Sequence, residues 1–279
     1  MKVSRVPVLC LVGLSLCAAL PPASAATIVS DSFDDGGRTN GTDPLDIPWF
    51  TNSSTQGLTV EGNQLRITPT IASQGVVGSI PSGITLAVGE YIELSFSFRY
   101  GTNAPNSATN GIRFGLYNDM GQTMTADAAN RDDANAGINS LGYYANISTG
   151  SPATITNAFY REFGTTNGIL TGDDRSSAVG SNAVNRGLDD TDLHTVVMRI
   201  TATAAGVTLT GSLDGTTFAS GNASAPNADY LTFNQIAFSS NVTNTSLFID
   251  DVTVIYVPEP TAALLGGLGM MAFIGRRRR

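Results

Sequence analysis

Tyr91-Ile92-Glu93-Leu94-Ser95-Phe96-Ser97-Phe98-Arg99-Tyr100 is the stretch whose reading decides the fold. Leu94, Phe96 and Phe98 share one parity, and the residues between and beside them share the other, Ser95 and Ser97 among them. Side chains on an extended chain point alternately to opposite faces, so this pattern predicts a strand with one face in a core and one in water.

The segments on either side follow the same rule. Short alternating or β-branched runs are separated by Gly, Asn, Asp, Ser and Thr, with almost no stretch of helical period. The spacing predicts strands over 27–33, 58–61, 64–68, 75–80, 91–100, 111–117, 140–147, 158–163, 194–203, 206–213, 235–239 and 247–256. Gly62-Asn63 and Asp214-Gly215 tolerate positive φ and mark two-residue hairpin turns. Residues 124–136 are open to a few helical turns or to a loop. Strands in this number, with Gly-rich turns, form a two-sheet sandwich or a barrel, and the expectation is an all-β, two-sheet antiparallel β-sandwich.

The two ends of the chain read differently. Lys2 and Arg5, the apolar run 6–20 and the small residues Ala23-Ser24-Ala25 make a Sec-type signal peptide, cleaved after Ala25. Cys10 and Cys17 both lie inside it, so the mature chain holds no thiol, which excludes disulfides, cysteine nucleophiles and thiolate metal sites. At the other end, Val257-Pro258-Glu259-Pro260 precedes an uncharged run, 262–275, and then Arg276, Arg277, Arg278 and Arg279. The prolines fix φ and lack donors, so they lead the chain out of the last strand into an extended, accessible segment. As a helix the uncharged run is about 21 Å long against a hydrocarbon core of about 30 Å, a short transmembrane helix that snorkelling arginines and local thinning would assist. The arginines stay cytoplasmic and place everything before Pro258 outside. The chain therefore divides into a signal peptide (1–25), a sandwich body (26–257) and a tail (258–279).

Without its two ends the chain keeps nine arginines, no lysine and twenty-two carboxylates, a net charge of −13. So acidic a body argues against nucleic acid and favours cations and neutral partners.

The order Val257-Pro258-Glu259-Pro260-Thr261, short apolar helix, terminal arginines resembles the PEP-CTERM sorting signal of Gram-negative bacteria. The resemblance covers about the last 22 residues. It implies recognition by an exosortase, an intramembrane cysteine transpeptidase that cuts near Pro-Glu-Pro. It also implies transient anchoring in the inner membrane and delivery to the cell surface or an exopolysaccharide matrix. Pro258, Glu259 and Pro260 are then the processing site of a substrate.

The body has its own resemblance. Leu193-His194-Thr195-Val196-Val197, followed by 207–213 and Asp214-Gly215, is similar to the penultimate hairpins of laminin-G-like, concanavalin A-like jelly rolls. Leu247-Phe248-Ile249-Asp250-Asp251-Val252-Thr253-Val254 resembles the last strand of those domains and of jelly-roll carbohydrate-binding modules. These matches cover about a third of the body and imply that the last strand lies beside the first. They also imply a structural Ca²⁺ between those strands, for which Asp31, Asp34, Asp35 and Asp251 supply oxygens; the alternative is a solvated acidic edge. Asp250 and Asp251 are adjacent and point to opposite faces of a regular strand, so at most one can face the core.

Catalytic constellations are weak. Glycoside hydrolysis needs two carboxylates facing one cleft. The Glu-x-Asp-x-x-Glu pattern of concanavalin-like hydrolases does not occur, Glu90 and Glu93 fall on opposite strand faces, and Glu61 and Glu162 stand alone. His194, the one histidine, shares parity with Val196, Met198 and Ile200, as an edge-of-core residue would. Aromatics are the remaining lead. Trp49, Tyr143 and Tyr144 are candidates for stacking on a glycan, although Trp49 suits a core better, as large aromatics mostly do. The expected function is a non-catalytic structural or glycan-binding module at the surface or in exopolysaccharide. A calcium-stabilised adhesin and a diverged polysaccharide hydrolase or lyase are the competitors.

Overall fold

The computed structural model describes residues 24–259 apart from 40–43, 72–73, 103, 105–110, 131–138, 150–156, 164–168, 171–177, 183–187 and 189. Ala23 of the cleavage motif, Pro260, the apolar run and the four terminal arginines lie outside the described residues. No helix among those described is long and apolar enough to cross a membrane.

Among the described residues there are fifteen strands: β1 Ala26–Asp31, β2 Trp49–Thr51, β3 Gly57–Glu61, β4 Gln64–Thr68, β5 Gly75–Thr85, β6 Tyr91–Tyr100, β7 Gly111–Asn118 and β8 Leu141–Ser148, then β9 Asn157–Phe163, β10 Gly180–Asn182, β11 His194–Thr203, β12 Gly206–Leu213, β13 Thr216–Ala223, β14 Thr232–Ser240 and β15 Leu247–Val257. They form two antiparallel sheets. One runs β13-β12-β11-β6-β15-β4-β3, with β1 paired to β15; the other runs β10-β9-β8-β7-β14-β5-β2. The chain passes repeatedly between sheets, and β1 lies against the last strand, Asp31 opposite Val252, as the jelly-roll resemblance implies.

β6 sits between β11 and β15 and does what its alternation requires. Ile92, Leu94, Phe96, Phe98 and Tyr100 face the other sheet and are buried, while Glu93, Ser95 and Arg99 lie on the wetter side. Each such apolar side chain contributes about 1.5–3 kcal/mol on burial. Phe96 meets Phe114 and Phe238 of the second sheet edge-on, at ring separations of 5.0 and 4.9 Å. Both turns read from the sequence are two-residue hairpin loops with positive φ at each position: 59° and 61° at Gly62-Asn63, 48° and 75° at Asp214-Gly215.

β2, β10 and β13 are additional to the expected strands, as is a short 3-10 turn at Ala228–Leu231. β5 runs past Pro81 to Thr85; the proline falls where the register with β14 shifts, so no ladder bond needs its missing N–H. Between Asp250 and Thr253 the register of β15 against β6 slips, and Asp251 sits there with φ 51°. This β-bulge changes the expectation for the aspartate pair, because the added residue resets the alternation. Asp250 is half-buried, Asp251 is exposed, and Val252 and Val254 return to the core, so neither carboxylate faces inward.

Candidate ligand-binding site

Trp49 is a core residue. Its side chain is fully buried, packed against Phe33 and Phe238, and β2 pairs with β5 so that it lies opposite Gly78. A Cβ on Gly78 would come within 2.7 Å of the indole, so glycine there makes room for the ring. Trp49 Nε1 donates to Asp31 Oδ2 at 2.7 Å, and the Phe33 amide donates to Asp31 Oδ1 at 3.0 Å. Burial pushes the Asp31 carboxyl above its ordinary value against the lowering influence of these two bonds.

Both oxygens of Asp31 are thus committed inside the fold. Asp35 accepts from the Gly37 amide at 2.8 Å, Asp34 is exposed, and Asp251 stands on its bulge. The structure does not gather these four residues into one ligand set: among the described residues no group of three or more His, Cys, Asp or Glu side chains is placed to hold a metal.

Tyr143 and Tyr144 do send their rings to opposite faces of β8, but neither reaches solvent. Tyr143 joins the inter-sheet core and donates to the Ser224 carbonyl at 3.2 Å. Tyr144 stacks on Tyr160 at 5.1 Å on the outer face of the second sheet, beneath Met124, Ala128, Ile169 and Leu170. These loop residues roof that face, and Asp127 ties part of the roof down by pairing with Arg38 at 2.7 Å and accepting from the Thr51 amide. Under the roof, Tyr117 donates to Glu162 Oε2 at 3.0 Å, the Leu170 amide donates to both Glu162 oxygens, and Arg113 Nη1 donates to the Leu170 carbonyl at 2.6 Å. Burial, then the neighbouring Glu162 charge, hold the Tyr117 phenol well above its usual range.

The remaining polar candidates are each occupied separately. Glu93 pairs with Arg199 at 2.7 Å, Glu61 with Arg66 at 2.6 Å, and Glu90 accepts from the Ala87 amide. His194 opens β11 against the Phe98 ring, with Nδ1 3.0 Å from Asp214 and Nε2 3.2 Å from Asp190. Both ring nitrogens face carboxylates, which leaves none to activate a serine.

The outer face of the first sheet is open. Phe248 of β15 lies directly opposite Arg66 of β4 on one side and Arg99 of β6 on the other. The Arg99 guanidinium is 4.3 Å and that of Arg66 5.9 Å from the centre of the ring. Arg66 Nε donates to Ser246 Oγ at 3.0 Å; Arg99 Nε and Nη2 donate to Gln64 Oε1 at 3.1 and 2.8 Å. Arg66, Arg99 and Phe248, together with Glu61, Gly101, Thr102, Asn244 and Ser246, line a cleft of about 270 Å³. Sequence reading passed over Arg66, Arg99 and Phe248, although each carries a signal: a large side chain on the wet parity of its strand, Phe248 between the core residues Leu247 and Ile249. At the end of the same strand, Val257 is the last paired residue and Pro258 leaves the sheet, with Glu259 exposed.

No family model and no curated protein matches the sequence. Among solved structures, the carbohydrate recognition domain of Emp47p is similar over 84% of this chain and 97% of its own, with TM-score 0.50 and 12% identity. The seed lectin of Lotus tetragonolobus is similar over 83% of this chain and all of its own, with TM-score 0.50 and 11% identity. The chain has the two-sheet jelly-roll fold of these lectin domains.

Proposed function

We propose that the protein is an exported, non-catalytic sandwich that contacts glycan at the cell surface or in an extracellular matrix, and that its tail is the signal by which an exosortase-type system sorts it. The observation that carries this reading is the open polar face of the eight-stranded sheet. It presents a cleft lined by arginine, hydroxyl and amide groups, while the tyrosines and Glu162 of the other sheet are roofed and already bonded. A polar-lined depression with few apolar atoms suits a hydroxylated ligand better than a hydrophobic one. The two similar solved structures are named as a carbohydrate recognition domain and a lectin, in keeping with a sugar as the ligand. The export half rests on the tail sequence and on where the sandwich ends, since Pro258 and Glu259 emerge from the last strand as an accessible peptide.

Fractionating the producing cells tests both halves. The chain is expected in the surface or matrix fraction, shortened near Pro258, and Glu259→Ala together with Pro260→Ala should trap it in the inner membrane. Unchanged distribution of that variant would refute the sorting half. Failure of the surface-located chain to bind any polysaccharide would refute the glycan half.

A further inference from the structure

Resting on the reading that this face contacts glycan, we propose that the Arg66–Phe248–Arg99 row binds an anionic sugar, taking its carboxylate or sulfate on the two guanidinium groups. The argument begins with charge. In a body where carboxylates outnumber arginines by more than two to one, Arg38, Arg66 and Arg199 each pair with a carboxylate at 2.6–2.7 Å. Arg99 does not: its hydrogen bonds go to the neutral amide of Gln64, and among the described residues no carboxylate lies at ion-pair distance from it. A guanidinium facing an open cleft without a carboxylate partner is suited to receive one.

The cleft also fixes the direction of that charge. Phe248 is only 8% exposed, so it is not a platform for a sugar ring. It is the plate over which the Arg99 guanidinium sits, 4.3 Å from the ring centre, with Gln64 holding the Nε and Nη2 edge. Arg66 is held by Ser246 and Glu61. Arg99 Nη1 and Arg66 Nη2 then carry no hydrogen bond to a described residue, and both arginines line one cleft. Planar forks oriented in advance lose less freedom on binding an oxyanion than free side chains do. Glu61 is in the cleft too, and Asp250 accepts from Gln64 Nε2 at 3.4 Å. The Glu61 charge, paired with Arg66, repels an anion from the Arg66 end and leaves Arg99 as the dominant contact. Thr102, Asn244 and Ser246 at the rim offer neutral partners for sugar hydroxyls. At about 270 Å³ and open on one side, the cleft holds one residue of a longer polymer.

The test titrates the full chain, held in non-ionic detergent at fixed ionic strength, with oligogalacturonate, dextran sulfate, neutral dextran and poly-glutamate. One of the two anionic saccharides should bind at least about tenfold more tightly than dextran, the tighter of the two identifying the anion. Arg99→Gln should weaken that binding by about tenfold or more, the equivalent of one charge-assisted contact, with the β-sheet circular dichroism retained and the melting temperature lowered by no more than a few degrees. Arg99→Lys, which keeps the charge and loses the fork, should fall between, and Arg66→Gln provides a second reading if Arg99→Gln folds poorly. Equal affinity for dextran and the anionic polymers would overturn the charge selectivity while leaving glycan contact standing. Poly-glutamate binding as tightly as either saccharide, or full affinity in both glutamine variants, would overturn the assignment. Binding of none of the four would remove the underlying reading as well.

Discussion

Trp49→Phe separates the two roles a lone tryptophan could have had. In the fold it loses the 2.7 Å bond to Asp31 and part of the ring that fills the space over Gly78. A hydrogen bond to a charged group contributes about 1.5–3 kcal/mol. Truncating a buried aromatic to alanine costs roughly 3–5 kcal/mol, of which trimming to phenyl is a part, about 1–2 kcal/mol. The sum, about 2.5–5 kcal/mol, lowers the melting temperature of a domain of this size by roughly 5–20 °C. The loss carries a pH signature. Asp31 has its folded pKa above its unfolded one, so its contribution to stability is fully present below the ordinary value of 3.8 and is lost as pH rises through the folded value. Removing the Trp49 bond deletes a lowering influence, moves the folded pKa further up and deepens the loss at neutral pH. The difference in stability between wild type and variant should therefore shrink on acidification from about pH 7 to about pH 4; carboxylates elsewhere titrate alike in both proteins and cancel. Chemical denaturation at a series of pH values measures this. A variant with unaltered stability but abolished saccharide binding would place Trp49 at a surface, and a deficit independent of pH would remove Asp31 from the account.

Two further outcomes follow from packing and titration. A Cβ at Gly221 of β13 would stand 2.1 Å from the Val179 carbonyl beside β10, where the two sheets come together, so Gly221→Ala should lower the urea midpoint by the equivalent of about 1–3 kcal/mol; a midpoint unchanged or raised would show that the strands part freely. Burial raises the phenols of Tyr100, Tyr117 and Tyr143 above the ordinary 10.0, so their contribution is fully present below that pH and lost above it. Phenolate absorbance of these residues should appear together with loss of β-sheet circular dichroism, and ionisation of all tyrosines with the sheet signal intact would contradict their burial.

The sheet framework was legible wherever alternation was strong. β6, β11 and β12 follow from parity, and the two-residue turns after β3 and after β12 from Gly and Asp or Asn at positions that need positive φ. β13 was not legible because Thr216 to Ala223 has the composition of a loop; it is held extended by the preceding hairpin and by Phe218, which is buried against Phe159. β2 is three residues long and follows a proline, and its place depends on Gly78 from another strand. The cleft on the outer face of the first sheet was hidden for a related reason. Arg66, Arg99 and Phe248 are far apart in sequence, and only the register of β4, β15 and β6 makes them neighbours. Tyr144 was misjudged as a surface candidate because alternation tells which side of a sheet a ring occupies and is silent on what covers that side.

The placement of β15 bears on how the molecule is made. The strand completed last is flanked by β6 on one side and by β4 and β1 on the other. Until it arrives, β1 has no partner strand among the described residues and the rest of the larger sheet is in two pieces. A chain synthesised from its N-terminus therefore cannot complete the larger sheet until residues 247–257 are available, and that strand acts as the bolt that locks the rest.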